Sequence, residues 1–202
     1  MAKQPARGRL AAVLLAAGAS VRLGRPKQLI EWQGKYLVKH AAELALDVCD
    51  AGVTVVTGAE ADRVVTALEG LPLTCIYNRD WESGMGSSLT TGIDHLVREG
   101  GGEADALLLM LCDQPYITHT DIKQLVEAWQ SYPDRPAGAG YSGIVGVPAI
   151  IPAGLLHTLV ELPEDSGAGN WLRSRDDINV VTMPNAAIDI DTSKDLQDLL
   201  EE

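Results

Sequence analysis

The stretch LAAVLLAAGASVRLGRPK, Leu10 to Lys27, decides the fold. Its unbroken apolar run reads as a strand buried on both faces, the habit of parallel sheets covered by helices. The run stops at Ala16-Ala17-Gly18 and gives way to a loop of small residues with two cations, Arg22 and Lys27, on its far side. Gly18 stands where the strand ends, and Ala16, Ala17, Ala19 and Ser20 leave little bulk between the backbone N–H groups and an anion. Arg22 offers a fork to phosphate oxygens, and Lys27 a mobile point charge. Small residues also permit tight strand-to-helix packing, so the loop alone leaves a phosphate site and plain packing level.

Further apolar segments recur at Val53–Thr57, Leu73–Tyr77 and Ala106–Leu111, with weaker ones at Gly143–Val147 and Ile178–Val181. Helix-period stretches lie between several of them. In Tyr36–Cys49, Leu37, Ala41, Leu44, Ala45 and Val48 share a stripe; Ser87 or Ser88 is placed to cap a helix carrying Leu89, Ile93, Leu96 and Val97. Thr118 is placed to cap another carrying Ile122, Leu125, Val126 and Trp129. Buried strands alternating with helices imply an α/β sandwich around a mostly parallel sheet, with ligands beyond the carboxyl ends of the strands. The Pro/Gly-rich stretch Tyr132–Gly146 breaks the rhythm and reads as an insertion or excursion within one domain. Residues 1–8 read as a frayed tail and 9–202 as a single domain.

The 202 residues carry 16 Lys plus Arg against 28 Asp plus Glu, a formal net charge of -12. Such a surface repels nucleic acid and anionic membrane, and no basic patch offsets it. Cys49, Cys75 and Cys112 have no metal-like spacing and read as reduced thiols in a cytoplasmic protein. The apolar run after Arg9 is too short for a membrane span and continues into a patterned loop, so it reads as a strand and not a signal peptide. His40, His95, His119 and His157 form no cluster at short spacing. Gly-x-Gly-x-x-Gly is absent and no Gly-Lys-Ser/Thr follows the loop, which sets dehydrogenases and P-loop kinases aside.

The loop is similar to the opening motif of a nucleotidyltransferase family, with Leu15, Ala16, Ala17, Gly18, Ser20, Arg22, Gly24 and Lys27 in the family's order, then Leu29 and Gly34. The resemblance continues through Asn78-x-x-Trp81 into Gly84-Met85-Gly86-Ser87-Ser88-Leu89, then Cys112-Asp113-Gln114-Pro115, Gly143-x-x-Gly146-x-Pro148 and Ile188-Asp189-Ile190-Asp191-Thr192. In that order the motifs resemble the molybdenum-cofactor cytidylyltransferase branch, related to the molybdenum-cofactor guanylyltransferases. The resemblance implies a three-layer, Rossmann-like fold of the nucleotide-diphospho-sugar transferase type. It implies Mg²⁺-dependent transfer of CMP from CTP to the phosphate of a molybdopterin-type cofactor, giving the cytosine dinucleotide and pyrophosphate. Molybdenum hydroxylases or their chaperones are the implied protein partners. The chain departs from the pattern at Glu164-Asp165-Ser166-Gly167-Ala168-Gly169, where relatives carry arginine at the last position. Arg173, one helical turn later, is placed to restore that charge.

Transfer at an α-phosphorus brings anions together, so positioning and charge neutralisation carry the catalysis. Arg22, Lys27 and Asp113 are the expected catalytic residues, with Arg22 on the departing pyrophosphate and Lys27 at the α-phosphate. Asp113 ends a strongly apolar strand with no obvious cation nearby, which suits a hard divalent ion or a cap of the turn before Pro115. Asp191 is the expected second metal ligand and Asp189 its rival, since alternation puts both on one face of an extended segment; a solvated strand end beside a cap at Thr192 is the bland reading. For the nucleotide the resemblance adds Leu15, Ala16, Ala17, Gly18, Ser20, Asn78 and Ser87, with Ser87 taken as the more exposed serine. Thr57 and Gly58 are either part of a base pocket or a strand-to-loop transition. Met85, Gly86, Ser88, Gly146, Asp165 and Arg173 are the expected acceptor contacts, and Trp81 and Trp171 either line a pterin side or pack in the core. Two alternatives stay open: another nucleotide with a sugar-phosphate or other cofactor-phosphate acceptor, or a non-catalytic nucleotide-binding assembly protein.

Overall fold

A computed structural model describes residues 8–98, 104–163 and 166–201. The first strand, β1 (Leu10–Ala16), is followed by a two-stranded ribbon of β2 (Glu31–Trp32) and β3 (Lys35–Tyr36), and then by α1 (Leu37–Leu46). Next come β4 (Val53–Thr57), α2 (Ala61–Ala67), β5 (Thr74–Tyr77), α3 (Met85–Arg98), β6 (Ala106–Leu111) and α4 (His119–Ser131). The remainder is β7 (Ala137–Tyr141), β8 (Ile144–Pro152), α5 (Leu156–Val160), α6 (Ala168–Arg173), β9 (Asn179–Thr182) and α7 (Ser193–Leu200). Seven strands form one sheet in the order β5-β4-β1-β6-β8-β7-β9.

β1 lies between β4 and β6, parallel to both, with Ala16 opposite Thr57 and Leu15 opposite Leu111. Its residues alternate between two cores. Leu10, Ala12, Leu14 and Ala16 join residues of α1, α2 and α4 on one face, whereas Val13 and Leu15 join α3, α5 and α6 on the other. This two-sided burial is why the strand reads as apolar throughout, and it gives the expected layers of helix, sheet and helix. The loops after β1, β4 and β6 therefore open at one edge of the sheet.

From Ala137 onward the Tyr132–Gly146 excursion is sheet. β7 and β8 pair antiparallel, with Tyr141 opposite Ile144, and the turn between them is Ser142-Gly143 with φ of 49° and 77°. Two consecutive positive φ values are what a tight hairpin of the primed type needs. Because β8 also runs antiparallel to β6, this turn lies at the same edge as the end of β6. β8 extends to Pro152, well past the weak segment read from the sequence, because its second half is buried against β6. The sheet is thus parallel except for the pairings of β8.

Thr118 caps α4 in a reciprocal box with Asp121, as expected, and Thr192 caps α7 in the same way with Asp195. Neither Ser87 nor Ser88 is a cap, since α3 begins at Met85 and both serines are inside its first turn. Cys49, Cys75 and Cys112 are free. Most of the expected frayed tail, residues 1–7, lies outside the described residues, and Gly8 and Arg9 run directly into β1. Among the described residues no helix is long and apolar enough to cross a membrane.

Candidate active site

The small-residue loop is braced from within. Ser20 takes a positive φ of 54°, and its Oγ accepts from the backbone N–H of Lys27 at 3.0 Å. The buried side-chain amide of Gln28 donates to Ala16 O at 3.0 Å and Gly18 O at 2.6 Å. Gln28 was not singled out in the sequence, where a lone Gln between Lys27 and Leu29 carries no signal. A side cluster of Leu23, Ile30, Leu37, Ile190, Leu196 and Leu199 then packs the far side of the loop against the C-terminal segment. That cluster brings residues 22–27 beside residues 189–191.

Asp113 follows β6 and is 5% exposed. Its backbone carbonyl accepts from Ile190 N–H at 2.9 Å. Ile190 is buried in the side cluster, so its neighbours Asp189 and Asp191 turn the other way, towards Asp113. Carboxylate oxygens of Asp113, Asp189 and Asp191 all lie within 4.8 Å of one another. The two rivals for second ligand are therefore in the same place.

Both cations of the loop meet these carboxylates. Lys27 Nζ donates to Asp113 Oδ2 and, at 3.1 Å, to Asp191 Oδ1. Arg22 Nη2 donates to Asp191 Oδ2 at 2.6 Å, on a side chain 74% exposed. The expectation that Asp113 has no nearby cation is corrected: Lys27 is remote in sequence but adjacent in space. Burial works against the charge on Lys27, yet the Asp113 carboxylate beside it prevails and holds the ammonium above its ordinary range. Desolvation likewise opposes ionised Asp191, but the bond from Lys27 and the charges of Lys27 and Arg22 hold its carboxyl low. Asp189 moves up, first by desolvation of its carboxyl and then by the charges of Asp113 and Asp191.

A divalent ion fits this arrangement. Asp113 Oδ1 is buried without a hydrogen-bond partner, an uncompensated oxygen in a group of hard donors. Asp113, Asp191 and Asp189 are the residues that would hold the ion, and bound there it would neutralise phosphate charge.

A cavity of ≈ 330 Å³ opens beside the cluster. Of the expected residues, Leu15, Ala16, Ala17, Gly18, Lys27, Met85, Ser88 and Asp113 line it, as do Trp81 and Gln28. Ser20 stays outside as a brace, and Arg22 stands at the cluster's solvent side. Thr57 and Gly58 line a different depression, and the Thr57 hydroxyl is spent on Ile76 O at 3.0 Å. Gly58 serves packing: a Cβ there would come within 2.5 Å of Ala17 O. Neither lines the cavity beside the carboxylates.

Asn78 and Ser87 form a buried brace. Asn78 Nδ2 donates to Ser87 Oγ at 2.9 Å and to Ser88 Oγ at 3.0 Å, while Asn78 Oδ1 accepts from Asp80 N–H. Ser87, expected to be the more exposed serine, is so by a small margin, at 8% against 4% for Ser88, but both are buried and its hydroxyl is directed to Asp80 O and Gly84 O. Trp171 packs in the core with the Arg175 guanidinium over its ring, leaving Trp81 as the tryptophan of the cavity. Gly86 is buried within α3, and Gly146 and Arg173 stand on the β8–α6 side. Asp165 lies outside the described residues. His119 pairs with Asp47 and His40 meets Ile117 O, so neither joins the carboxylates.

The profile of the MobA-like NTP transferase domain family matches residues 12–178. Over 200 residues, 93% of this chain and 95% of the relative, the sequence is 34% identical to the nicotine blue oxidoreductase of Paenarthrobacter nicotinovorans. The crystal structure of a homologue of Mycobacterium tuberculosis Rv0371c, from Mycobacterium sp. strain JC1, superposes with a TM-score of 0.80 at 30% identity, covering 97% of each chain. Rv0371c of M. tuberculosis, in a complex with manganese, gives a TM-score of 0.78 at 21% identity over 96% of this chain and 99% of its own.

Proposed function

The chain belongs to the MobA-like NTP transferase domain family, and on that premise we propose that it transfers a nucleoside monophosphate from an NTP to a phosphate-bearing acceptor. One observation carries this reading: Lys27 and Arg22, from the small-residue loop, meet Asp113 and Asp191 at the rim of a cavity lined by that loop. The cavity is of a size for a nucleoside.

In the proposed step an acceptor phosphate oxygen attacks the α-phosphorus. The new P–O bond forms as the bond from the α-phosphorus to the bridging oxygen breaks, and that oxygen leaves with its electron pair as pyrophosphate. No protein nucleophile is needed. When nucleotide binds, Lys27 exchanges part of its bonding from Asp113 and Asp191 to the α-phosphate. Arg22, the more exposed cation, meets the departing phosphates. Fixed charges aimed where charge develops are the largest ordinary source of such catalysis.

Within this class we assign CTP as donor and a molybdopterin-type cofactor phosphate as acceptor, with Mg²⁺ as the ion. The support is the order of motifs from Leu15 to Thr192 that resembles the cytidylyltransferase branch. Transient contact with molybdenum hydroxylases or their chaperones, within the cytoplasm, goes with that assignment. Incubation with molybdopterin, Mg²⁺ and each of CTP, GTP, ATP and UTP, with the product weighed by mass spectrometry, tests it. A product heavier by CMP supports the assignment. A product only with GTP, or only with a sugar phosphate, moves the donor or acceptor within the same class.

The full-length likeness to nicotine blue oxidoreductase favours a second reading, electron transfer in the same cavity. Reduction of nicotine blue by a supplied two-electron reductant that depends on the protein, with no release of pyrophosphate from any NTP, would establish it.

A further inference from the structure

β6 and β8 separate just before the carboxylates. Their pairing ends at Leu109–Ala149, and the β7–β8 register jumps from Gly138–Ala149 to Ala139–Gly146, so Val147 and Pro148 have no partner in either ladder. β6 runs on without β8 to Leu111 and delivers Asp113 beyond it. A carbonyl that leaves a ladder inside a protein needs another donor.

Gln114 supplies that donor. Its Nε2 donates to Val147 O at 3.2 Å and to Ala186 O at 2.9 Å, the latter in a short helical turn, Pro184–Ala187. The residue is buried, and its Oε1 has no hydrogen-bond partner. Turning the amide over would set that oxygen against both carbonyls, so the position uses glutamine as a double donor. A buried acceptor left unpaired costs stability, and packing alone is served better by an apolar residue.

Asp113 and Gln114 thereby grip one segment at two points. The backbone carbonyl of Asp113 takes Ile190 N–H at 2.9 Å, while the Gln114 amide holds Ala186 O at the other end of the same stretch. Asp189 lies between the two grips and Asp191 just past the second. Held by Ile190 alone, the stretch could turn about that residue; the second bond fixes its orientation. We propose that Gln114 is a positioning residue for the metal centre, its amide setting Asp189 and Asp191 against Asp113 and thereby the affinity for a divalent ion. The convergence of the three carboxylates within 4.8 Å depends on that grip. Gln114 neither lines the cavity nor belongs to the carboxylate group, so it acts through the segment it holds. The inference rests on the metal assignment within the nucleotidyl-transfer reading and is independent of which nucleotide or acceptor is used. In the sequence Gln114 had no task of its own within Cys112-Asp113-Gln114-Pro115, because Val147 and Ala186 are both remote.

Mn²⁺ affinity of the protein without nucleotide, followed by electron paramagnetic resonance, tests the assignment. Gln114→Met keeps the length of the side chain, removes both donors and weakens Mn²⁺ binding about fivefold. Gln114→Asn keeps the amide on a stem too short to span both carbonyls and weakens it about threefold, which serves where the first variant fails to fold. Coupling to Asp191 separates positioning from mere stability: Asp191→Asn costs about fivefold in the wild-type background and less than about twofold in Gln114→Met, because a carboxylate already out of place has little left to lose. Asn78→Ala, which removes a buried amide elsewhere, leaves Mn²⁺ affinity within about twofold. Wild-type Mn²⁺ affinity in the Gln114 variants, an equal cost of Asp191→Asn in both backgrounds, or an equal loss in Asn78→Ala overturns the proposal. A wild type that binds no Mn²⁺ removes the metal assignment and this inference with it. Mn²⁺ held through Gln114 in a protein that releases no pyrophosphate from any NTP upholds the inference and removes the transfer reading.

Discussion

The ammonium of Lys27 donates a hydrogen bond to the carboxylate of Asp113, 86 residues further along the chain. One residue comes from the loop after β1 and the other from the loop after β6, and the parallel register of those two strands brings them together. The same ammonium reaches Asp191. It therefore holds the carboxylates in place and would compete with a divalent ion for them.

That competition is measurable in the protein without nucleotide. Lys27→Met removes the competing charge, and Mn²⁺ affinity followed by electron paramagnetic resonance rises at least threefold. Asp113→Asn lowers it at least tenfold, because the oxygen that lacks a partner is lost with the charge. Unchanged affinity in both variants would remove the metal assignment.

Asn78→Ala leaves two buried serine hydroxyls and the Asp80 N–H without their partner. Loss of a buried polar partner costs about 1–3 kcal/mol, so the urea midpoint falls accordingly. The nucleotide affinity of the folded variant stays within a fewfold of wild type, as suits a brace and not a ligand.

Asp191 sets an acid dependence of stability. Its folded carboxyl lies below the ordinary value of 3.8. The stability it contributes is present above that value and is lost as pH falls through the lower folded one. The difference in Tm between wild type and Asp191→Asn therefore narrows from pH 7 to pH 3. A gap that widens on acidification would contradict the ion pairs with Lys27 and Arg22.

Gly143→Ala strains the β7–β8 turn, where Gly143 has φ of 77°. Left-handed backbone costs a residue with a side chain about 1–2 kcal/mol, read as a lower urea midpoint. An unchanged midpoint would contradict the turn.

The first half of the fold was legible because β1, β4 and β6 are buried on both faces and their loops share an edge. Thr118 and Thr192 were legible as caps, and each closes a reciprocal box with the acid three residues on, Asp121 and Asp195. The β7–β8 hairpin was hidden by its own composition, since Ala137-Gly138-Ala139-Gly140 is a strand made of residues that favour other structures. Asp113, Asp189, Asp191, Lys27 and Arg22 were all marked in the sequence, but their mutual pairing depends on the side cluster around Ile190, which periodicity does not reveal. Asn78 and Ser87 looked like ligands because polar residues near a cavity look alike in sequence whether they face it or brace it. Gln28 matters through contacts with Ala16 and Gly18, and pairings at such separations leave no local pattern.

Pyrophosphate release is the most direct measurement, with wild type, Lys27→Ala and Asp113→Asn compared in the presence of NTP, divalent ion and a phosphate-bearing acceptor. Release by the wild type is expected to require all three components. It falls about 10²–10³-fold in Lys27→Ala, by analogy with the loss of a charge-stabilising donor, and is abolished in Asp113→Asn while the variant remains folded. Wild-type turnover in Asp113→Asn, or no pyrophosphate from any NTP across cofactor-phosphate and sugar-phosphate acceptors, would contradict the account.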